Sequence, residues 1–274
     1  MQMTMMQQMY DFSSARVLMS GGSGVLGRAL ATALLAHGAD VVLLTRDPAR
    51  AATHFASTAG VSRLHCIAAD LAIATDIQRA VAEALADGPI THLVNGAGGN
   101  RPQATTGAHP FADIPLTAMH EVMDVNVFSA IQLSQAVVPH FVTRGSGCIL
   151  NISSISTQRP LTRVLTYSVA KAGLDAYTRW LATHLAREYA PEIRVNALAP
   201  GFFLTEQNRF LLLEADGTTL TPRGQQILAH TPMGRFGTPE DLVGAFLWLL
   251  SPASAFVTGQ IITVDGGFTA FSGV

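Results

Sequence analysis

Short runs of Val, Ile and Leu alternate with longer alanine-rich segments of helical period along nearly the whole chain, which limits the folds open to it. Residues 16–19 lead into a cluster of glycines and then a helical stretch over 25–37. Residues 41–44 form the next apolar run, followed by a helical pattern at 47–57. The runs continue at 64–69, 90–94 and 147–152, a long helix is expected from 167 to about 189, and further runs follow at 193–197 and 260–264. Continuous apolar strands interleaved with helices indicate a parallel sheet covered on both faces. Right-handed crossovers then give an α/β, doubly wound, Rossmann-type fold. No Ser-, Pro- or Gly-rich linker divides residues 15–274, so they are read as one domain. Within it, residues 201–239 are irregular, broken at Asp216-Gly217, Pro222 and Pro232, and suit either a cover over a site or a surface excursion.

A length of 274 residues is ordinary for one large α/β domain, and 49% hydrophobic with 13% charged residues supports a large core. A formal net charge of −2 provides no basic field for nucleic acid or an anionic membrane, so neither is expected as a partner. Two cysteines, Cys66 and Cys148, cannot form a disulfide framework and read as small buried hydrophobes in a reducing compartment. Residues 1–14 carry no secretory or organellar pattern and are expected to be loose or locally ordered. No apolar stretch approaches the roughly 20 residues of a membrane span, and a cytoplasmic location is expected. The nine histidines show no metal-ligand spacing joined to acidic residues, and no metal is proposed.

Ser20-Gly21-Gly22-Ser23-Gly24-Val25-Leu26-Gly27 closes the first strand and opens the first helix. Glycines let the backbone turn sharply and approach a pyrophosphate, and a helix N-terminus behind them offers N–H groups and partial positive charge. The alternative is a tight turn without a ligand. After the second strand the sequence reads Thr45-Arg46 rather than an acidic residue. Arg46 could fork onto a 2′-phosphate, which leans towards NADP, or stack on the adenine of NAD.

Tyr167 and Lys171 stand four apart at the start of a helix and therefore share a face. A free phenol has a pKa near 10, and a neighbouring ammonium favours the phenolate. The spacing could thus bring a tyrosine towards the working range of a proton-transfer catalyst. Taken alone, Tyr and Lys four apart are mostly an ordinary helix surface pair.

Gly21, Gly27, Asn95-Gly96-Ala97-Gly98, Asn126, Ser154, Tyr167, Lys171 and Pro200-Gly201 occur in an order that resembles the short-chain dehydrogenase/reductase family, over essentially the whole chain after Ser14. The resemblance implies Tyr167 as general acid or base, Ser154 as hydrogen-bond donor to the reacting oxygen, and Lys171 as holder of the nicotinamide ribose. It implies that Asn126 completes a proton relay through water. It further implies a cofactor seat of Gly21, Ser23, Gly24, Val25, Leu26, Gly27, Arg46, Asp70, Leu71, Asn95, Ala97, Gly98, Pro200, Gly201 and Thr205 together with Tyr167 and Lys171. Two positions depart from the pattern: the glycine spacing 21-24-27 is that of a longer branch of the family, and Gly96 replaces the usual second Asn.

The second half is similar to a subgroup assigned as D-mannonate oxidoreductases (fructuronate reductases), through Asn95-Gly-Ala-Gly-Gly-Asn100, Ala199-Pro-Gly-Phe-Phe203, Gln207-Asn-Arg209, Thr231-Pro-Met-Gly-Arg-Phe-Gly237 and Val264-Asp-Gly-Gly-Phe268. The implied substrate is a keto- or hydroxy-sugar acid. Arg163 and Arg209 are candidates for its carboxylate, and Asn100, Gln158, Gln207 and Asn208 for its hydroxyls. Alternatives are a reductase of another carbonyl (a gluconate-type sugar acid or a 3-oxoacyl thioester) and a non-catalytic dinucleotide-binding regulator. The family resemblance implies a homodimer or homotetramer, with Leu174, Tyr177, Trp180 and Leu181 as apolar candidates along the helix; those four could equally be intrachain core.

Overall fold

The computed structural model describes residues 4–205 and 208–273. Its centre is a seven-stranded, wholly parallel sheet: β1 (Arg16–Ser20), β2 (Asp40–Thr45), β3 (Leu64–Ala68), β4 (His92–Asn95), β5 (Gly147–Ile152), β6 (Ile193–Pro200) and β7 (Ile261–Val264), in the order β3-β2-β1-β4-β5-β6-β7. The expected fold class is therefore the one observed: a single α/β domain of Rossmann type. The order reverses between β1 and β4, so a crevice opens there at the carboxyl ends of the strands.

Successive strand residues point to opposite faces, and both faces are filled. Val17, Met19, Val41 and Leu43 pack on one side with Leu30, Leu34 and Phe246. The latter three lie on α2 (Val25–Ala36) and on a later helix, Val243–Leu250. Leu18, Val42, Ile149 and Val195 pack on the other side, with Ile77, Leu133, Phe141 and Leu181. Of the remaining helices, α1 covers Met5–Met9, α3 Pro48–Phe55 and α4 Ala74–Ala86. A continuous helical stretch follows, with α5 (Leu116–Met123), a π-helical turn at Asp124–Phe128 and α6 (Ser129–Arg144). The last four are α7 (Leu165–Glu188), α8 (Arg209–Leu212), α9 (Pro222–Ala229) and α10 (Val243–Leu250).

One expectation changes. The stretch Leu116–Arg144 is long and apolar enough to cross a bilayer by length and composition, which its interspersed polar residues hide from a search for unbroken apolar runs. In this fold Leu133, Val137 and Phe141 of that stretch belong to the core beneath the sheet. The described part of the N-terminal segment has local order, one of the two alternatives expected: the Thr4 hydroxyl and amide form a reciprocal capping box with Gln7. Phe12 then buries against the His37 and His92 rings, which anchors the segment.

The irregular segment after β6 is an excursion with local order. Phe203 pairs with Gly237 and Leu213 with Leu220 as isolated bridges. Leu212, Leu213 and Ile227 are buried, and the Thr221 side chain caps α9 through the Gly224 amide.

Candidate active site

β1, β4, β5 and β6 end side by side, and their last residues build the floor of the crevice. Ser20 is aligned with Asn95, and Asn95 with Asn151. Asn95 donates to Asn151 Oδ1 at 2.8 Å, and Asn151 donates to Thr178 Oγ1 of α7 at 2.8 Å. Asn95 Oδ1 itself is buried and unpartnered. Such linked amides fix strand ends to the helix behind them, because leaving their polar groups unpaired would be costly.

The glycines meet the crevice from β1. Gly21 has φ +73°, and a side chain there would collide with the Gly96 carbonyl and the Ala97 amide. A side chain at Gly27 would overlap the Gly21 carbonyl, so helix and turn approach closely. Gly24 caps α2 without a side chain, which leaves the first-turn amides of Val25, Leu26 and Gly27 with no side-chain acceptor; Ser23 precedes them in the turn. The departure at Gly96 has a local reason. A Cβ there would lie 2.7 Å from the Ser20 carbonyl, while the Ser20 hydroxyl accepts from the Gly96 and Ala97 amides at 3.1 and 3.2 Å.

Beyond the glycines, Arg46 follows β2, is exposed, and has no hydrogen bond or ion pair with any described residue. Asp70 and Leu71 follow β3, with the Asp70 carboxylate accepting from the Ala72 amide at 3.0 Å. Pro200 ends β6, and Gly201 donates to the Val264 carbonyl at 2.9 Å against Asp265, where a side chain would not fit. These features suit a dinucleotide: an open helix N-terminus for its phosphates, a glycine cradle beneath it, and a free guanidinium at the β2 end.

Ser154, Tyr167, Lys171 and Asn126 converge on the other side of the crevice. Ser154 follows β5 and starts a short 3₁₀ turn, accepting from the Ser156 amide at 3.2 Å. Its hydroxyl faces the Tyr167 phenol. Burial pushes that phenol above its usual range, and hydrogen bonding with Ser154 opposes the rise. Lys171, one turn along α7, is 3% exposed and donates to the Ile152 carbonyl at 2.8 Å. Its Nζ lies 5.7 Å from the Tyr167 ring centre. Burial lowers the ammonium to about 8, against the opposing charge of Asp175.

Asn126 sits in the π-helical turn, a distortion that recurs at functional sites. It is 1% exposed and donates to the Gly99 and Val122 carbonyls at 2.7 and 2.8 Å. Gly98 lies between Asn126 and Lys171: a Cβ there would fall 2.7 Å from Asn126 Oδ1 and 3.0 Å from Lys171 Nζ. The four side chains thus come together from three segments: the turn after β5, the start of α7 and the π-helical turn. A phenol, an ammonium and a hydroxyl so grouped can pass a proton to or from a carbonyl or hydroxyl oxygen.

The polar residues expected around a sugar acid are distributed unevenly. Arg163 stands at the approach to α7, four residues before Tyr167, with its carbonyl accepting from Thr106. Asn100 Oδ1 accepts from the Arg101 amide at 2.9 Å. Gln158 donates to Thr263 Oγ1 at 2.6 Å. Asn208 is engaged locally, accepting from the Thr205 amide at 2.8 Å and donating to the Phe203 carbonyl at 2.7 Å. Arg209 donates to the Gly217 carbonyl at 2.9 Å inside its own loop. Gln207 lies outside the described residues. Two neighbours of the site are not among the residues expected from sequence. Buried Asp175 accepts from Ser153 Oγ at 2.5 Å, and its position four residues after Lys171 is the one sequence signal for it. Arg223 of α9 donates to Thr162 Oγ1 at 3.2 Å, for which the sequence carries no signal because the two are 61 residues apart.

Of the interface candidates on α7, Leu174 and Leu181 are intrachain core, whereas Trp180 is exposed and stacks on His184 at 4.8 Å.

The fold and this constellation define a dinucleotide-dependent oxidoreductase, and the family model described as enoyl-(acyl carrier protein) reductase matches residues 23–269. The chain belongs to the short-chain dehydrogenase/reductase family of NAD(P)-dependent enzymes acting on alcohol and keto groups. It is 40% identical to an uncharacterized oxidoreductase, UxuB, of Bacillus subtilis (strain 168), over 96% of this chain and 98% of that protein. It is 32% identical to 5-keto-D-gluconate 5-reductase of Escherichia coli (strain K12), over 96% and 98%. Among solved structures it resembles one from Haemophilus influenza, provisionally described as a D-mannonate oxidoreductase with bound NAD. That match has TM-score 0.89 and 32% identity over 98% and 100% of the two chains. A gluconate 5-dehydrogenase from Burkholderia cenocepacia J2315 in complex with NADP and tartrate gives TM-score 0.84 and 31% identity, over 97% and 99%.

Proposed function

We propose that this enzyme interconverts a keto-sugar acid and its hydroxy acid, of the D-fructuronate/D-mannonate type, in the cytoplasm. The observation carrying this reading is the grouping of Tyr167 with Ser154 and Lys171, and of Lys171 with Asn126 across Gly98, beside the crevice at the strand ends. Relatives named for keto-gluconate and gluconate chemistry, and a neighbour provisionally named for mannonate, support the substrate class.

In this mechanism Ser154 donates to the substrate oxygen and holds the carbonyl against Tyr167. The Tyr167 hydroxyl delivers its proton to that oxygen during reduction and takes it back during oxidation. Lys171, kept in place by the Ile152 carbonyl, stabilises the phenolate left behind. Asn126 holds the Gly99 strand-end loop beside Lys171 and orders the path by which the proton is replaced. Gly21, Ser23, Gly24, Val25, Leu26 and Gly27 would hold the cofactor pyrophosphate. Arg46, Asp70 and Leu71 would hold the adenosine end, with Arg46 favouring NADP. Asn95, Ala97, Gly98, Pro200, Gly201 and Thr205, with Tyr167 and Lys171, would hold the nicotinamide half. When bound, the nicotinamide supplies or accepts the hydride.

The enzyme works as a homo-oligomer in this reading, with the exposed Trp180 face of α7 as the contact. The test is steady-state absorbance at the reduced-nicotinamide band, with fructuronate, mannonate, 5-keto-gluconate and gluconate, each with NAD(H) and NADP(H). Turnover of fructuronate or mannonate in preference to the gluconate pair supports the proposal. Turnover of the gluconate pair alone moves the substrate to that class. Absence of turnover across a broad carbonyl panel would favour a dinucleotide-binding regulator.

A further inference from the structure

We infer that Arg163 and Arg223 together form the seat for the substrate carboxylate, one cation coming from the approach to α7 and the other from the cover. This rests on the sugar-acid reading above and sets Arg223 beside Arg163, one of the two arginine candidates read from sequence.

Arg163 is the one described non-glycine residue with positive φ, at 73°. An L residue in that region is strained, and a strained residue four positions before the candidate catalytic tyrosine points to a functional constraint. The Thr106 amide holds the strained turn by donating to the Arg163 carbonyl at 3.3 Å. The side chain leaves towards the loop after β4, where a Cβ on Gly107 would lie 3.6 Å from Arg163 Cδ. Arg163 is therefore held at its backbone, and the residue as a whole is exposed.

Arg223 arrives from the opposite side. It is the second residue of α9, partly buried, and its Nη1 donates to Thr162 Oγ1 at 3.2 Å. That bond brings a guanidinium of the excursion after β6 to the residue next to Arg163. Both burial and the like charge of Arg163 act against the Arg223 cation. Its place in the first turn of a helix adds the positive end of the helix dipole to the same repulsion. No ion pair among the described residues offsets this: the arginines so paired are Arg16, Arg79, Arg101 and Arg235.

Two arginines without an ion pair, one bonded to the neighbour of the other and feeling its charge, are poorly explained as stabilising features. They suit an anion, since each planar fork can grip a carboxylate oxygen pair and the anion cancels their mutual repulsion. The location adds a mechanical consequence. Arg163 is continuous with the catalytic helix and Arg223 with the excursion after β6, so a bridging carboxylate would tie the cover to the Tyr167 segment. A neutral sugar lacks the group that makes this bridge.

The test is steady-state kinetics of Arg163→Asn, Arg223→Gln, Arg223→Lys and the Asn/Gln double variant, using the keto-sugar acid that the wild type turns over. Asn tolerates positive φ, so the first variant removes charge without adding strain, and thermal unfolding checks each fold. The expected result is a rise in KM of at least tenfold for each charge-removing variant, with kcat within about threefold of wild type and partial recovery in Arg223→Lys. The KM of wild type should also climb with ionic strength, and this dependence should flatten in the double variant. Unchanged KM in the folded double variant, with the wild type active on the acid, overturns the arginine seat and leaves the sugar-acid function standing. A wild type inert towards every keto-sugar acid overturns the functional reading and the seat together.

Discussion

Lys171 Nζ donates to the Ile152 carbonyl at 2.8 Å, and among the described residues no carboxylate lies within ion-pair distance of it. A buried ammonium held by one carbonyl costs folding energy, and here burial lowers it from 10.5 to about 8. Its folded pKa lies below its unfolded pKa. Between about pH 8 and 10.5 the unfolded chain therefore binds more protons, and stability rises with pH.

The isosteric variant Lys171→Met lacks this penalty. Its stability advantage over wild type, whatever its value at pH 7.5, should shrink by about 2 kcal/mol by pH 9.5. Denaturant unfolding of both proteins at constant ionic strength measures it. A difference that stays flat with pH contradicts a lowered Lys171.

Asp175 opposes that shift with its charge and holds Ser153 at 2.5 Å, next to Ser154. Asp175→Asn keeps an oxygen for the Ser153 hydroxyl but removes the charge, so Lys171 should lose its proton at lower pH. The alkaline limb of the kcat/KM profile should move down by about one pH unit. An unmoved profile would reduce Asp175 to a packing residue.

Arg46 is free at the end of β2. If it meets a 2′-phosphate, Arg46→Ala should weaken NADP binding by roughly 10- to 100-fold and leave NAD within about twofold. Fluorescence titration of both dinucleotides decides between this and adenine stacking, for which the two losses would be similar.

Gly21 and Gly24 make a paired control on the cradle. Gly21→Ala meets backbone atoms of Gly96 and Ala97 at positive φ, and should lose more than about 2 kcal/mol of stability. Gly24→Ala meets only the Gly21 carbonyl at 3.5 Å and should lose less than about 1 kcal/mol. Its effect should appear as weaker dinucleotide binding. Equal stability losses would mean that the turn tolerates side chains differently from the geometry described.

Much of the fold and of the catalytic group is legible in the amino-acid sequence. The βα alternation specifies the parallel sheet because each apolar run must be buried on two faces. The order of Gly21, Asn126, Ser154, Tyr167 and Lys171 carries the family, since a motif keeps its sequence spacing even when its members come from separate elements. Arg223 is not legible, because its neighbour Thr162 is distant in sequence and the excursion that joins them has no periodic signal. Asn208 and Arg209 read as available polar loop residues, yet each is used in folding its own turn. Asp175 reads as an ordinary helix residue, and only its burial beside Ser153 and its charge on Lys171 set it apart.

The central claim is that Tyr167 moves the proton. Tyr167→Phe keeps the ring that packs near Lys171 and deletes only the hydroxyl. The decisive measurement is turnover of the keto-sugar acid by this variant, alongside dinucleotide binding by fluorescence. Dinucleotide affinity should stay within about threefold of wild type, and kcat should fall by at least about 100-fold. A variant that binds the dinucleotide and turns over at a near-normal rate would contradict it.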